Sequence, residues 1–210
     1  NYGISGNTNK AFEMATGDYI TVYDHDDTLE LDCFYEIVKA LQEYRYDVLY
    51  TDEDKFDDGT KMYNDPNLKP DFSEDLLRSH NYITHLFIVN KKLVDEVGYY
   101  NTEFDGSQDY DYIFRCVEKA NAVYHIPRIL YHWRMHPEST AQNPKSKTYC
   151  YDAGKRAIEA HYKRVGVEAT VEMMPEPMYG MYHTTDSTKD NPLVSILIPN
   201  YNHKPILKTC

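Results

Sequence analysis

Hydrophobic residues recur along the chain with two different periods, and each period predicts a different element. The segment 31–43 carries apolar side chains at the i, i+3, i+4 and i+7 positions of one helix face. The preceding segment 19–23 (YITVY) is an unbroken β-branched and aromatic run, typical of a buried strand. A second strand is predicted over 48–51. Because a crossover helix is the usual connection between parallel strands, this order predicts an α/β fold with a mainly parallel sheet.

The same criteria predict the remaining elements. Helices are expected over 5–17, 31–43, 74–79, 91–97, 107–119 and 147–165. Strands are expected over 19–23, 48–51, 84–89, 122–125, 129–134, 170–173, 179–183 and 193–198. The segment 52–82 is rich in Asp, Lys, Pro and Asn, and we expect a long irregular insertion there, apart from its one short helix.

Charge and cysteine content narrow the function classes. The 210 residues include 22 Lys+Arg and 34 Asp+Glu, so the net charge is −12. This excess repels nucleic acid and anionic membrane surfaces, and an anionic ligand would need a cation to mediate its binding. The sequence contains no run of about 18 apolar residues that would predict a membrane span, and no signal-peptide pattern. Four scattered cysteines fit a reducing compartment. We therefore expect a cytoplasmic location, at most peripheral to the inner face of the membrane.

Three carboxylates follow the first predicted strand, at Asp24, Asp26 and Asp27. The C-terminal end of a parallel strand is where open α/β sheets build ligand sites. A divalent cation would relieve the repulsion among these carboxylates and bridge to phosphate oxygens. The alternative is a solvated acidic turn in which Asp27 or Thr28 caps the next helix. Two enzyme classes place Asp-x-Asp after a strand: haloacid-dehalogenase-like phosphatases, with Asp24 as nucleophile and Asp26 as acid, and metal-dependent glycosyltransferases.

The order of motifs favours the transferases. The stretch NYGISGNTNKAFEMATGDYITVYDHDD resembles the N-x-G-I-S…A-x-G-x-Y-I…D-x-D-D pattern of glycosyltransferase family 2. YTDEDK, KPDFSEDLL, FDGSQDYD, IPRILYHWRMHPESTA and AGKRAIEAH then resemble its bacterial polysaccharide-assembling, rhamnosyltransferase-like branch. The resemblance covers residues 1 to about 183. It implies a Rossmann-like GT-A fold, whose mixed, mainly parallel sheet is flanked by helices and here lacks its first strands. It also implies an inverting transfer from a nucleoside diphosphate sugar to a glycan or lipid-linked acceptor, with Mn²⁺ or Mg²⁺ as cofactor.

The resemblance also implies roles for individual residues. Asp24, Asp26 and His136 correspond to metal ligands, with His132 as the alternative histidine, and Asp109 corresponds to the catalytic base. Further side chains are expected to contact the donor or acceptor: Asp27, Asp52, Asp54, His85, Gln108, Trp133 and Arg134. For Arg134 the expected contact is with a phosphate, whose charge its guanidinium would neutralise. The non-enzymatic alternative is a carbohydrate-binding module that uses some of the 21 tyrosines as stacking platforms.

Two strands of the family pattern lie upstream of N-x-G-I-S and have no counterpart here. We therefore expect residues 1–187 to be a partial transferase domain comprising its metal and acceptor half, a fragment that binds nucleotide weakly or not at all and has lost activity. Residues 188–210 then form a linker and the first strand of a following transferase domain. We expect 193–198 to fill the vacant first-strand position beside 19–23, either within one chain or swapped between two chains in a dimer.

Overall fold

The computed structural model describes residues 2–135, 148–187 and 192–209. Its helices are α1 (Gly3–Met14), α2 (Cys33–Glu43), α3 (Glu74–Leu77), α4 (Lys91–Val97), α5 (Gln108–Val117), α6 (Thr148–Val165) and α7 (Lys204–Leu207). Its strands are β1 (Tyr19–Thr21), β2 (Thr28–Leu29), β3 (Val48–Asp57), β4 (Met62–Asn67), β5 (Phe87–Asn90), β6 (Val123–Met135), β7 (Ala169–Met173) and β8 (Tyr182–Asp186).

One mixed sheet organises the fold, in the order β1-β5-β3-β6-β2, with β4 hydrogen-bonded to β3. The predicted α/β class and mixed sheet are confirmed. The prediction that the sheet is mainly parallel is wrong for the described strands, because β3 and β6 are the one parallel pair among them. β1 and β3 do run in the same direction, as the strand-helix-strand pattern indicates. β5 lies antiparallel between them, which the local sequence does not reveal.

Helices cover both faces of this sheet. Consecutive residues of β3 point to opposite faces, so Leu49 packs with Ile37 of α2, whereas Tyr50 packs with Ile113 of α5 and Ile158 of α6. All five side chains are buried. This two-sided burial makes β3 the central strand and fixes the positions of the loops at its C-terminal end. A separate two-stranded sheet, β7-β8, packs beside α6.

The predicted irregular insertion is partly wrong. Residues 52–57 extend β3, and β4 pairs with them as an antiparallel hairpin. The strands predicted at 122–125 and 129–134 form one strand, β6, which pairs with β3 along its length with register shifts near Asp52. The acidic residues that suggested a loop are tolerated in the buried part of β3 because partners from other segments, such as His125 and Lys69, pair with them.

The predicted strand over 193–198 is not formed. These residues lie outside any regular element and are exposed, and β1 pairs with β5 alone among the described strands. The expectation that 193–198 pairs with β1 within one chain is therefore wrong, since the apolar side chains of 193–198 are not buried against the sheet. The swapped dimer and the domain boundaries at 187 and 188 stay predictions. Within the described ranges, no helix is long and apolar enough to cross a membrane.

Candidate active site

A cleft of about 380 Å³ opens at the ends of β1 and β6 and the start of α5. It collects six of the side chains predicted from the sequence: Asp24, Asp26, His85, Gln108, Asp109 and Trp133. Two of the three carboxylates of the acidic turn and the carboxylate of Asp109 in α5 thus line the same space, although Asp109 lies 83 positions after Asp26 in the chain.

The acidic turn divides its side chains between the cleft and the interior. Asp24 and Asp26 are partly exposed and line the cleft. Asp27 is buried, where it accepts hydrogen bonds from the Tyr131 hydroxyl and from the backbone N–H of Arg134 (2.8 Å). Burial raises the pKa of Asp27, against the lowering effect of these two donors. Asp27 therefore anchors the turn rather than lining the cleft, and α2 begins instead at the N-cap residue Asp32.

Arg134 is engaged on the far side of the same turn. Its guanidinium donates to the backbone oxygen of Asp26 and forms an ion pair with Asp58 (2.6 Å). The predicted contact with a phosphate is not supported by this position, because Arg134 does not line the cleft. Trp133, the preceding residue, does line it, with its ring centroid 5.8 Å from that of His85.

Asp109 lies in the first turn of α5, where the helix dipole favours a carboxylate. Asn81 donates a hydrogen bond of 2.8 Å to Asp109 Oδ2. Burial nevertheless raises the pKa of Asp109, although His85 and the hydrogen bonds to the carboxylate oppose this effect. The neighbouring Gln108 accepts a hydrogen bond from the Gly106 N–H (2.8 Å), so its side-chain oxygen is held at the mouth of the cleft.

His85 lies between the acidic turn and the interior of the sheet. Its Nε2 is 3.7 Å from Asp24 Oδ2, its Nδ1 is 3.4 Å from Glu53 Oε2, and its ring stacks on Tyr131 at 4.7 Å. Burial lowers the pKa of His85, but the carboxylates of Glu53, Asp24 and Asp109 outweigh that effect and raise it overall. These carboxylates therefore favour the protonated form of His85.

The carboxylates of the YTDEDK motif do not line this cleft. Asp52 is buried against His125 (2.8 Å to Nε2), and Asp54 is buried against His132 (2.6 Å to Nδ1). Asp54 borders a second cavity of about 390 Å³ that Trp133 separates from the first. A direct contact between Asp52 and a sugar therefore has no support in this geometry.

Residues 1–98 match the model of the family described as Glycosyl transferase family 2. Residues 1–98 therefore belong to this family. A relative from Sinorhizobium fredii, "Uncharacterized protein y4gI", is 39% identical over 98% of this chain and 23% of its own length. The "O-antigen biosynthesis protein RfbC" of Myxococcus xanthus is 33% identical over 96% of this chain and 16% of its own length. The chain thus spans less than a quarter of either relative.

Crystal structures of TarS from S. aureus share the fold of this chain. The TarS 1-349 structure matches with a TM-score of 0.53 and 17% identity over 76% of this chain and 44% of TarS 1-349. The TarS 1-349 complex with UDP-GlcNAc matches with a TM-score of 0.56 and 16% identity over 76% of this chain and 46% of that structure. At these identities the likeness establishes the fold alone, which agrees with the expected GT-A type. Family membership and fold favour the transferase over the phosphatase and the binding module.

The family 2 cleft offers two carboxylates suited to a metal ion. Asp24 and Asp26 supply hard oxygen ligands of the kind that Mg²⁺ and Mn²⁺ prefer, and a diphosphate and waters would supply the others. His136, the predicted third ligand, lies outside the described residues, and among those described no three His, Cys, Asp or Glu side chains form a metal-binding group. His132 is turned towards Asp54 and Glu30, so it does not replace His136.

Sequence reasoning missed three residues of this site: Asn81, which contacts Asp109, and the buried pair Glu53 and Lys69 behind His85. Asn81 carries no local signal, since its contact joins two distant segments. The orientation of Glu53 could be predicted once 52–57 is recognised as part of β3. Side chains alternate between the two faces along a strand, so Glu53 faces away from Asp52 and Asp54.

Proposed function

We propose that this chain is the metal and acceptor half of an inverting glycosyltransferase that uses a nucleoside diphosphate sugar. One observation carries the proposal: Asp24 and Asp26 line the same cleft as Asp109. The transfer requires a site for the leaving diphosphate and a base for the attacking hydroxyl on opposite sides of one anomeric carbon, and these three carboxylates fit that division of roles.

Asp109 acts as the base in this proposal. It takes the proton from the acceptor hydroxyl while the oxygen attacks the anomeric carbon, and the sugar–diphosphate bond breaks in the same displacement. The raised pKa of Asp109 suits proton removal near neutral pH, and Asn81 fixes which carboxylate oxygen faces the acceptor. Asp24 and Asp26 would hold a divalent ion, which would supply Lewis-acid stabilisation of the departing diphosphate. The rings of Trp133 and His85 line the cleft and would exclude water from the reacting groups.

Two relatives suggest the substrate classes. The crystallised UDP-GlcNAc complex of TarS supports a nucleoside diphosphate sugar donor, and the RfbC name supports a glycan acceptor in surface polysaccharide synthesis. Because the chain spans less than a quarter of its curated relatives, the activity is proposed for the whole protein that this domain serves. The cytoplasmic location is proposed on the same basis, since nucleoside diphosphate sugars are cytoplasmic donors.

Calorimetric titration of the full-length protein that contains this chain with UDP, GDP and dTDP and their sugars, in Mn²⁺ and in EDTA, tests the proposal. We expect binding that requires Mn²⁺ and that Asp24→Asn/Asp26→Asn abolishes, while the control Asp65→Asn, an exposed carboxylate of β4, retains it. Glycan binding in EDTA with no affinity for any nucleotide would instead support the binding module. Hydrolysis of a simple phosphate ester that depends on Asp24 would support the phosphatase.

A further inference from the structure

A fully buried lysine lies behind the cleft. The side chain of Lys69 has no exposed area, and that of Glu53 is 9% exposed; Lys69 Nζ is 3.6 Å from Glu53 Oε2. Lys69 Nζ also donates to the backbone oxygens of Ile83 (2.6 Å) and His85. Because burying an ion pair seldom stabilises a fold more than apolar packing would, the placement of these charges calls for another explanation.

Most of the contacts of the pair converge on the segment 81–85. Glu53 accepts hydrogen bonds from the Thr84 hydroxyl (2.8 Å) and the His85 N–H (3.2 Å), and it lies 3.4 Å from His85 Nδ1. Its remaining side-chain donor is Asn67 of β4 (3.1 Å). Together with the two carbonyls bonded by Lys69, these contacts hold the backbone of 83–85 and the side chains of Thr84 and His85.

The segment 81–85 contacts both sides of the cleft. At one end Asn81 donates to Asp109 Oδ2 (2.8 Å), and at the other end His85 Nε2 lies 3.7 Å from Asp24 Oδ2. Asn81 Oδ1 also accepts a hydrogen bond from the Thr84 N–H (3.3 Å), which joins the two ends. A displacement of this segment would move the contacts of the base and of the acidic turn together.

We propose that Glu53 and Lys69 are positioning residues for sugar transfer, which fix the segment 81–85 and thereby set Asp109 relative to the Asp24–Asp26 turn. This inference rests on the proposed function for its catalytic consequence. It assigns no contact with substrate to either residue, because both are buried behind His85. A displacement of about 1 Å in a reacting group costs about 100-fold in rate, so loss of the pair should act on turnover.

The test uses the double variant Glu53→Gln/Lys69→Met in the full-length protein, which removes both charges and keeps their approximate volume, so that no charge is left buried alone. The matched control is Lys55→Met/Asp65→Asn, which removes an exposed ion pair (2.9 Å) of the same β3–β4 hairpin. We expect the double variant to lose about 100-fold in kcat with donor affinity within about twofold of the parent, and the control to match the parent in both. Parent-like kcat in a folded double variant would overturn the inference, as would an equal loss in kcat and donor affinity.

Hydrogen exchange followed by mass spectrometry separates this inference from the proposed function. In the double variant, amides of 81–86 should exchange about tenfold faster, the factor for one lost hydrogen bond to a charged group, while amides of α6 stay unchanged. Faster exchange across the whole chain would indicate a merely structural pair and overturn the inference. If the full-length parent protein transfers no sugar, the proposed function fails, whereas local acceleration over 81–86 would still support the positioning role.

Discussion

Removal of one hydroxyl at Tyr131 tests how the acidic turn is held. Tyr131→Phe deletes the donor to Asp27 and keeps the ring that stacks on His85 at 4.7 Å. Asp27 is then left with the Arg134 N–H as its other donor in a buried position. Because a hydrogen bond to a charged group contributes about 1.5–3 kcal/mol, we expect the free energy of unfolding to fall by that amount. This corresponds to a decrease of about 3–12 °C in Tm for a domain of this size.

Urea denaturation followed by circular dichroism measures this change. The control is Tyr63→Phe, whose ring is more than half exposed, and we expect it to stay within about 0.5 kcal/mol of the parent. A loss below about 0.5 kcal/mol in Tyr131→Phe would refute the reasoning, since the Tyr131 hydroxyl would then not anchor the Asp27 carboxylate. Donor binding in Mn²⁺ should weaken in the same variant, because Asp24 and Asp26 belong to the turn that Asp27 fixes.

Three further predictions concern the cleft and the network behind it. Asn81→Ala removes a hydrogen-bond donor that lowers the pKa of Asp109. The pKa of Asp109 should therefore rise, and the acidic limb of the pH–rate profile should move to higher pH. An unmoved acidic limb would contradict this prediction. Burial would raise the pKa of Glu53, but its buried partners lower that pKa to about 2. The lowered pKa should contribute on the order of 3 kcal/mol to the free energy of unfolding above pH 4.5, and this contribution should be lost towards pH 2. In acid titrations of unfolding, the charge-free double variant should lack this component. Gly106→Ala should reduce donor binding measured by calorimetry, because Gly106 has φ +101° and an added Cβ would lie 2.5 Å from Tyr149; parent-like affinity would refute this.

The hydrophobic pattern was sufficient to predict most helices, since a helix face or a buried strand is encoded within a few neighbouring residues. The helix over 91–97 matches α4, and it ends at Gly98, whose φ of +78° suits glycine. The extension of β3 through 52–57 could not be predicted in this way. Its acidic residues resemble a loop, and they are buried only because partners such as His125 and Lys69 arrive from elsewhere in the chain.

In the site, too, local motifs predict some residues correctly, whereas the contacts of others depend on distant parts of the chain. Asp24, Asp26 and Asp109 were identified by motif resemblance, and the fold brings them to one cleft. Arg134 was predicted to face a phosphate because it is a cation in a polar motif, yet Asp58 of the β3–β4 hairpin holds it behind the turn. The partner of a long side chain depends on tertiary packing, which a motif does not specify.

The most direct test of the proposed function is a comparison of Asp109→Asn with the parent, both as the full-length protein, in two assays. The account predicts that sugar transfer from the preferred nucleoside diphosphate sugar falls by about 10²–10⁴-fold, while calorimetry shows unchanged Mn²⁺-dependent donor affinity. Transfer at the parent rate, or loss of donor binding together with transfer, would contradict the assignment of Asp109 as the base that faces the Asp24–Asp26 pair across the cleft.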